Sequence, residues 1–102
     1  MRSKEQDVRG GAKTITLTVN SDGTIRHGSD DQIIVLKTAT GGYNVYAAGF
    51  KYIKAASVSA FGNAGFAVSN VFQPNLISVA CYNSAMTLTD DYFTLIISGI
   101  AK

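Results

Sequence analysis

An all-β, antiparallel β-sandwich of about eight strands, of jelly-roll or Ig-like size, is the fold class that the sequence predicts. Three observations indicate it. Segments of alternating apolar and polar residues recur at intervals of roughly 8–12 residues. Turn residues separate these segments, and no segment sustains the 3.6-residue period of a long helix. With 102 residues, the chain has room for one domain.

The first half of the chain is predicted to form two hairpins. Residues 13–20 (KTITLTVN) alternate strictly between β-branched or apolar residues and threonines, which is a strong strand pattern. A turn at Ser21-Asp22-Gly23 leads to a short return strand at 24–27. The apolar segment 32–38 (QIIVLKT) and the alternating segment 43–48 (YNVYAA) flank a glycine-rich turn and form the second hairpin.

The second half of the chain supplies the remaining strands. The single proline, Pro74, lies in a predicted turn, where it disturbs no strand pairing. Residues 50–53 and 86–89 follow no clear pattern. The predicted strands are residues 55–61 (AASVSAF), 66–72 (FAVSNVF), 76–82 (LISVACY) and 92–98 (YFTLIIS).

The charge of the chain is concentrated at its start. Residues 1–12 are predicted to form a flexible N-terminal arm, followed by the β-sandwich domain at 13–102. The whole formal net charge of +2 lies within residues 1–13, and the basic and acidic residues of 14–102 balance. Because only 16% of the residues are charged, we expect part of the surface to be covered by other subunits. The alternative is a monomer kept soluble by Ser, Thr and Asn.

Composition excludes several classes of protein. A hydrophobic content of 46% with few charges excludes a disordered chain, and one cysteine excludes a disulfide scaffold. No apolar run reaches the ~18 residues of a transmembrane helix, so we expect no membrane insertion. The polar N-terminal sequence (MRSKEQD) lacks the apolar core of a secretory signal.

Residues with catalytic or metal-binding chemistry are few. The one histidine, His27, is expected to be an exposed residue at a strand end, and Cys81 a buried, inert thiol. The pairs Asp30-Asp31 and Asp90-Asp91 form a calcium site or a glycosidase-type carboxylate pair only if folding brings them together. Otherwise they are turn aspartates bonded to backbone amides. We therefore expect no enzymatic activity, no metal site and no cofactor.

A nucleic-acid partner is not expected either. Lys51-Tyr52-Ile53-Lys54 interleaves charged and aromatic residues, as proteins that bind single strands do. Two lysines are too few for phosphate binding, which needs a concentrated basic stripe.

Tyrosine and asparagine near turns favour polar recognition, because a rigid amphipathic ring and an adaptable amide complement each other. The alternative is that strand tyrosines pack at sheet edges with their hydroxyl groups in water. The candidate ligand-binding residues are Tyr43, Asn44, Asn63, Tyr82 and Asn83.

An ordered series of motifs resembles the distal β-sandwich domains of bacteriophage tail fibres and related tail proteins, over roughly residues 24–100. The series consists of GYNVY at 42–46, Phe50, AASVSAF, LISVACY and the closing DYFTLIISG at 91–99. The sequence departs from that pattern in two places. Ala47 stands where a bulky apolar residue is usual, and Lys54-Ala55-Ala56 where a proline is common.

The resemblance implies a non-enzymatic virion protein, assembled in the host cytoplasm. Such domains are typically trimers at a fibre end that contact a host-surface glycan or protein. The arm at residues 1–12 would then lead in from a preceding segment and contact neighbouring virion proteins. The alternative is a purely structural assembly component, such as a tail-tube, head-decoration or adaptor protein, whose arm becomes ordered on a neighbouring subunit.

Overall fold

Two four-stranded antiparallel sheets pack face to face in the computed structural model, which describes residues 11–28, 32–60 and 65–102. No helix occurs among these residues, so the all-β prediction is confirmed. The strands are β1 (Ala12–Val19), β2 (Ile25–His27), β3 (Ile33–Ala39), β4 (Gly42–Ala47), β5 (Phe50–Ala60), β6 (Gly65–Gln73), β7 (Leu76–Asn83) and β8 (Phe93–Ala101).

Most of the predicted N-terminal arm lies outside the described residues, since these begin at residue 11. The last residue of that arm lies in sheet A, and the residue before it bonds to the same sheet. Gly11 accepts a backbone hydrogen bond from Ala101 at 2.9 Å, and Ala12 is the first residue of β1.

The first and last strands of the chain are neighbours. Sheet A has the strand order β2-β1-β8-β5, and sheet B has the order β3-β4-β7-β6. The hairpins β1–β2, β3–β4 and β6–β7 each lie within one sheet, as the pairing of their strands shows. The final strand, β8, inserts between β1 and β5, so that sheet A is complete only when the end of the chain is in place.

The core lies between the sheets and follows the two-residue period of the strands. Alternate residues of each central strand are buried, and their neighbours in sequence point outward. Sheet A contributes Leu17, Val19, Phe50, Ile53, Phe93, Leu95 and Ile97, and sheet B contributes Ile33, Tyr43, Val45, Ala47, Ile77, Val79 and Cys81.

The longest strand, β5, spans two segments that the sequence analysis treated separately. Residues 50–53 gave no clear pattern and 55–61 were expected to form a separate strand, whereas β5 runs unbroken from Phe50 to Ala60. Its pairing with β8 shifts register twice, and the extra residues are Lys51 and Lys54. Each such bulge reverses the inward–outward alternation, so a strict two-residue pattern cannot follow the strand through them.

Gly99 allows two strands of sheet A to approach closely. It lies in β8, opposite Ile53 of β5. A Cβ atom added here would collide with the carbonyl oxygen of Tyr52 and lie 3.0 Å from Cδ2 of the buried Phe50. The backbone of β5 therefore occupies the space that a side chain at this position would need.

We predict that Gly99→Ala lowers the free energy of unfolding by about 1–3 kcal/mol, the usual cost of overpacking a well-packed interior. Urea denaturation measures it. Ser98→Ala is the matched control, because it places the same methyl side chain on the adjacent, outward-facing residue. An equal loss in the two variants would contradict the steric explanation.

Candidate interaction surface

The outward side of sheet B carries no charged residue among its described positions. Since Tyr43, Val45 and Ala47 of β4 are buried, Asn44 and Tyr46 between them point away from the core. Cross-strand pairing extends this surface over all four strands. We refer to it as the neutral face, which consists of Ile34, Leu36, Asn44, Tyr46, Phe66, Val68, Asn70, Ser78, Ala80 and Tyr82.

The neutral face exposes large apolar side chains. Ile34 and Leu36 of β3 are 55% and 51% exposed, and Val68 and Phe66 of β6 are 48% and 41% exposed. The Phe66 ring stacks on Tyr82 of the neighbouring strand, with ring centroids 5.1 Å apart and an angle of 14° between planes. These four side chains lie on the two outer strands, and Asn44 and Ser78 lie between them on the central pair. An uncharged surface with exposed apolar side chains is typical of a protein interaction site.

The outward side of sheet A is also uncharged at its centre but has a different chemistry. Its side chains are mainly hydroxyls, and some of them bond across strands. Thr14 lies 3.0 Å from Ser98, and Thr18 lies 3.2 Å from Thr94, between hydroxyl oxygens. Hydroxyl side chains are therefore concentrated on sheet A, and large apolar side chains are exposed on the neutral face.

The predicted ligand-binding residues that the structure describes do not form one site. Asn44 and Tyr82 both lie on the neutral face. Asn83 ends β7, and its side-chain oxygen accepts hydrogen bonds from the backbone amides of Ala85 (2.9 Å) and Thr87 (3.1 Å). Asn63 lies outside the described residues.

Tyr43 is completely buried, so the expectation of a ligand contact on the surface does not hold there. Its neighbour Asn44 points outward, because successive strand residues point to opposite faces. The residues that the sequence reading missed are Ile34, Leu36, Phe66 and Val68. The signal for the first two was available: the segment 32–38 is apolar at consecutive positions, so apolar side chains must point to both sides of β3.

Tyr43 joins two connections at one end of the sandwich. Its hydroxyl donates to the carbonyl oxygen of Ser21 at 2.7 Å, and the carbonyl oxygen of Asp91 lies 3.3 Å away. Its ring meets Phe93 edge-on, with centroids 5.1 Å apart. Burial raises the pKa of Tyr43 to about 12, so the hydroxyl stays protonated and remains a donor at neutral pH.

We predict that Tyr43→Phe lowers the free energy of unfolding by about 1–2 kcal/mol, because it leaves the carbonyl oxygens of Ser21 and Asp91 without their donor. Thermal unfolding followed by circular dichroism measures the change. Tyr46→Phe is the control, since Tyr46 lies on the same strand but points outward. A drop as large for Tyr46→Phe would show that the buried hydrogen bonds are not the cause.

The Asp90 side chain links the β3–β4 turn to the connection that precedes β8 through a hydrogen bond. One carboxylate oxygen accepts a hydrogen bond from the backbone amide of Gly41 at 2.7 Å and lies 3.0 Å from the Lys37 amino group. The hydrogen bond from the Gly41 amide, and to a smaller extent the contact with Lys37, lowers the pKa of Asp90 below its usual value. Asp90 is thus a turn aspartate bonded to a backbone amide.

We predict that Asp90→Asn lowers the midpoint of thermal unfolding at pH 7 by a few degrees. A lowered pKa in the folded state stabilises the fold above the unfolded-state pKa, and this stability is lost as pH falls through the folded-state pKa. The gap between wild type and variant should therefore narrow below the usual aspartate value of 3.8. Unfolding curves from pH 7 to pH 2 test this, and a constant gap would contradict it.

The chemistry of the remaining candidate residues is limited. Cys81 is buried, and burial, with smaller contributions from Asp91 and Asp90, raises its pKa to about 11, so the thiol stays protonated. Within residues 11–28, 32–60 and 65–102, no group of three or more His, Cys, Asp and Glu side chains is placed to hold a metal ion. Asp30 and Asp31 lie outside that range, and His27 is the last residue of β2.

Among the described residues there is no helix long and apolar enough to cross a membrane. Comparisons of the chain with models of protein families, with curated proteins and with solved structures find no match.

Proposed function

We propose that the chain is a non-enzymatic structural and binding module of a bacteriophage virion. In this proposal it is a tail-fibre-type domain that forms a homotrimer and contacts a glycan or protein on the host surface. The single observation that supports assembly most directly is the neutral face. The virion context rests on the resemblance over residues 24–100.

A second copy of the chain is the partner that the neutral face suits best. A surface without charges meets its own copy with no like-charge repulsion, and no ion has to lose its water. Ile34, Leu36, Phe66 and Val68 would leave water on contact, which is the main source of favourable free energy in association.

The outward side of sheet B is large enough to supply more than half of one interface. Its four strands are six to nine residues long. With strands ~4.8 Å apart and ~3.3 Å per residue, they cover roughly 500 Å² in projection. A partner in a stable complex buries about 800 Å², so contacts outside sheet B would complete the interface.

Within this proposal the predicted ligand-binding residues separate into two groups. Asn44 and Tyr82 lie on the neutral face and contact the neighbouring copy. Asn83 ends β7 opposite Gly65, at the end of the sandwich where the β7–β8 connection lies. That end is where the module would meet the host surface, because loops on a rigid scaffold commonly carry recognition. A jelly-roll or Ig-like sandwich preceded by a flexible arm is the finer form of the fold that we propose, and the arm predicted at 1–12 would end before Gly11 and Ala12, which bond to β8.

We predict that Leu36→Lys and Val68→Lys each shift the protein from an oligomer to a 10.8 kDa monomer, because each places a charge within the proposed contact, on one of the two outer strands of sheet B. Size-exclusion chromatography with light scattering measures the mass, and circular dichroism verifies the fold. Ser57→Lys is the control, since it puts the same charge on an exposed residue of sheet A.

Two results would overturn the proposed assembly. One is a wild-type protein that is monomeric at every concentration tested. The other is a loss of the oligomer in Ser57→Lys equal to that in the two variants of the neutral face.

A further inference from the structure

The loop after β7 carries the most exposed large apolar side chain among the described residues. This residue, Met86, is 72% exposed. Of the non-glycine residues that the structure describes, it alone has a positive φ, at 64°. Glycine and asparagine adopt this left-handed conformation readily, whereas a residue with a long apolar side chain adopts it rarely. The backbone at this position therefore favours a residue other than methionine.

Hydrogen bonds made by Asn83 hold the loop in this shape. The carbonyl oxygen of Asn83 accepts from the amide of Met86 at 2.9 Å, and the amide of Asn83 donates to the carbonyl oxygen of Thr87 at 3.0 Å. The Asn83 side chain also accepts from the amides of Ala85 and Thr87. This is the pattern of a three-residue hairpin loop, here 84–86, whose third residue is left-handed and is usually glycine. The loop therefore holds Met86 in an unfavourable conformation while its side chain stays exposed.

The residues after this loop continue the neutral face beyond the strands of sheet B. Leu88 pairs antiparallel with Tyr82, and two residues in such a pair have their side chains on the same side of the sheet. Tyr82 also pairs with Phe66 of β6, so the three residues form a row across the outward side. Leu88 is 45% exposed. A further apolar side chain thus extends the neutral face towards the loop.

A second copy of the chain is the partner that this extension suits best. Residues 83–89 contain no charged residue, so they can contact the neutral face without removing water from an ion. That face exposes apolar side chains, which Met86 and Leu88 can cover. Sheet B supplies roughly 500 Å² of the ~800 Å² that a partner buries in a stable complex, so contacts adjoining the sheet are needed.

We propose that Met86 and Leu88 complete the contact between copies by packing against the neutral face of the neighbouring copy. This inference rests on the proposed function and deepens it, because it names contact residues outside the strands of sheet B. The flexible thioether side chain of Met86 adapts to the neighbouring surface, which accounts for methionine in a glycine position. The β1–β2 and β3–β4 turns, at the same end of the sandwich, are left for the host surface.

We predict that Met86→Asn raises the dissociation constant of the oligomer several-fold. Asparagine tolerates the left-handed conformation, so the loop is retained, and its amide replaces the apolar side chain that leaves water on contact. Light scattering over a dilution series measures the dissociation constant. Ser84→Asn is the matched control, because it adds the same amide at an exposed residue of the same loop and leaves Met86 in place. An oligomer equally stable in Met86→Asn and wild type would overturn this inference and leave the proposed function intact.

The stability of the fold is measured separately from association. In the Leu36→Lys background, which is expected to be monomeric, adding Met86→Asn should leave the midpoint of thermal unfolding unchanged or raise it, because asparagine suits the backbone better. A lower midpoint in this background would contradict the inference, since Met86 would then serve the fold of a single copy.

Oxidation of Met86 provides an independent test. Hydrogen peroxide transfers one oxygen atom to an accessible methionine sulfur, which becomes a sulfoxide, and water is released. We expect Met86 to be oxidised several-fold more slowly in the wild-type oligomer than in the Leu36→Lys monomer, as measured by mass spectrometry of peptides. Equal rates would show that the loop stays exposed in the assembly and would rule out the proposed contact. A monomeric wild type would instead overturn the proposed function, and this inference with it.

Discussion

The insertion of β8 between β1 and β5 is the interaction on which the rest of the structure depends. It joins residues at opposite ends of the chain, as in the pairing of Ala12 with Ile100, and it places Phe93, Leu95 and Ile97 in the core. Sheet A cannot form from its local hairpin alone. Because the entropy of closing so long a loop must be overcome first, contacts of this kind form late and cooperatively.

Alternation along the strands then divides neighbouring residues between different functions. In sheet B, Tyr43 enters the core and fastens two connections, whereas Asn44 reaches the neutral face. A register slip of one residue would exchange the two surfaces, so the core and the proposed contact are specified together. The hydrogen bonds of Tyr43 and Asp90 hold the strand ends in that register.

Sequence reasoning was most reliable where structure is local. Alternation and turn residues located the hairpins 13–27 and 32–48, and they excluded a long helix. It was least reliable where the structure depends on pairing between strands that are distant in sequence. The bulges at Lys51 and Lys54 arise from the pairing of β5 with β8, and no local pattern marks them. The burial of Tyr43 likewise depends on which sheet face meets the core, so a turn-adjacent tyrosine resembled a surface residue.

The shortage of charge in the domain has more than one structural cause, and this bears on how copies assemble. Hydroxyl groups predominate on the outward side of sheet A, and large apolar side chains are exposed on the outward side of sheet B. Lys51 and Lys54 are the extra residues of two bulges at the β5 edge. Bulges and lysines at an edge oppose the addition of another strand, so sheet A is a poor place for copies to join along β5. The uncharged outward side of sheet B has no such obstacle, which is why the proposed contact between copies uses the neutral face.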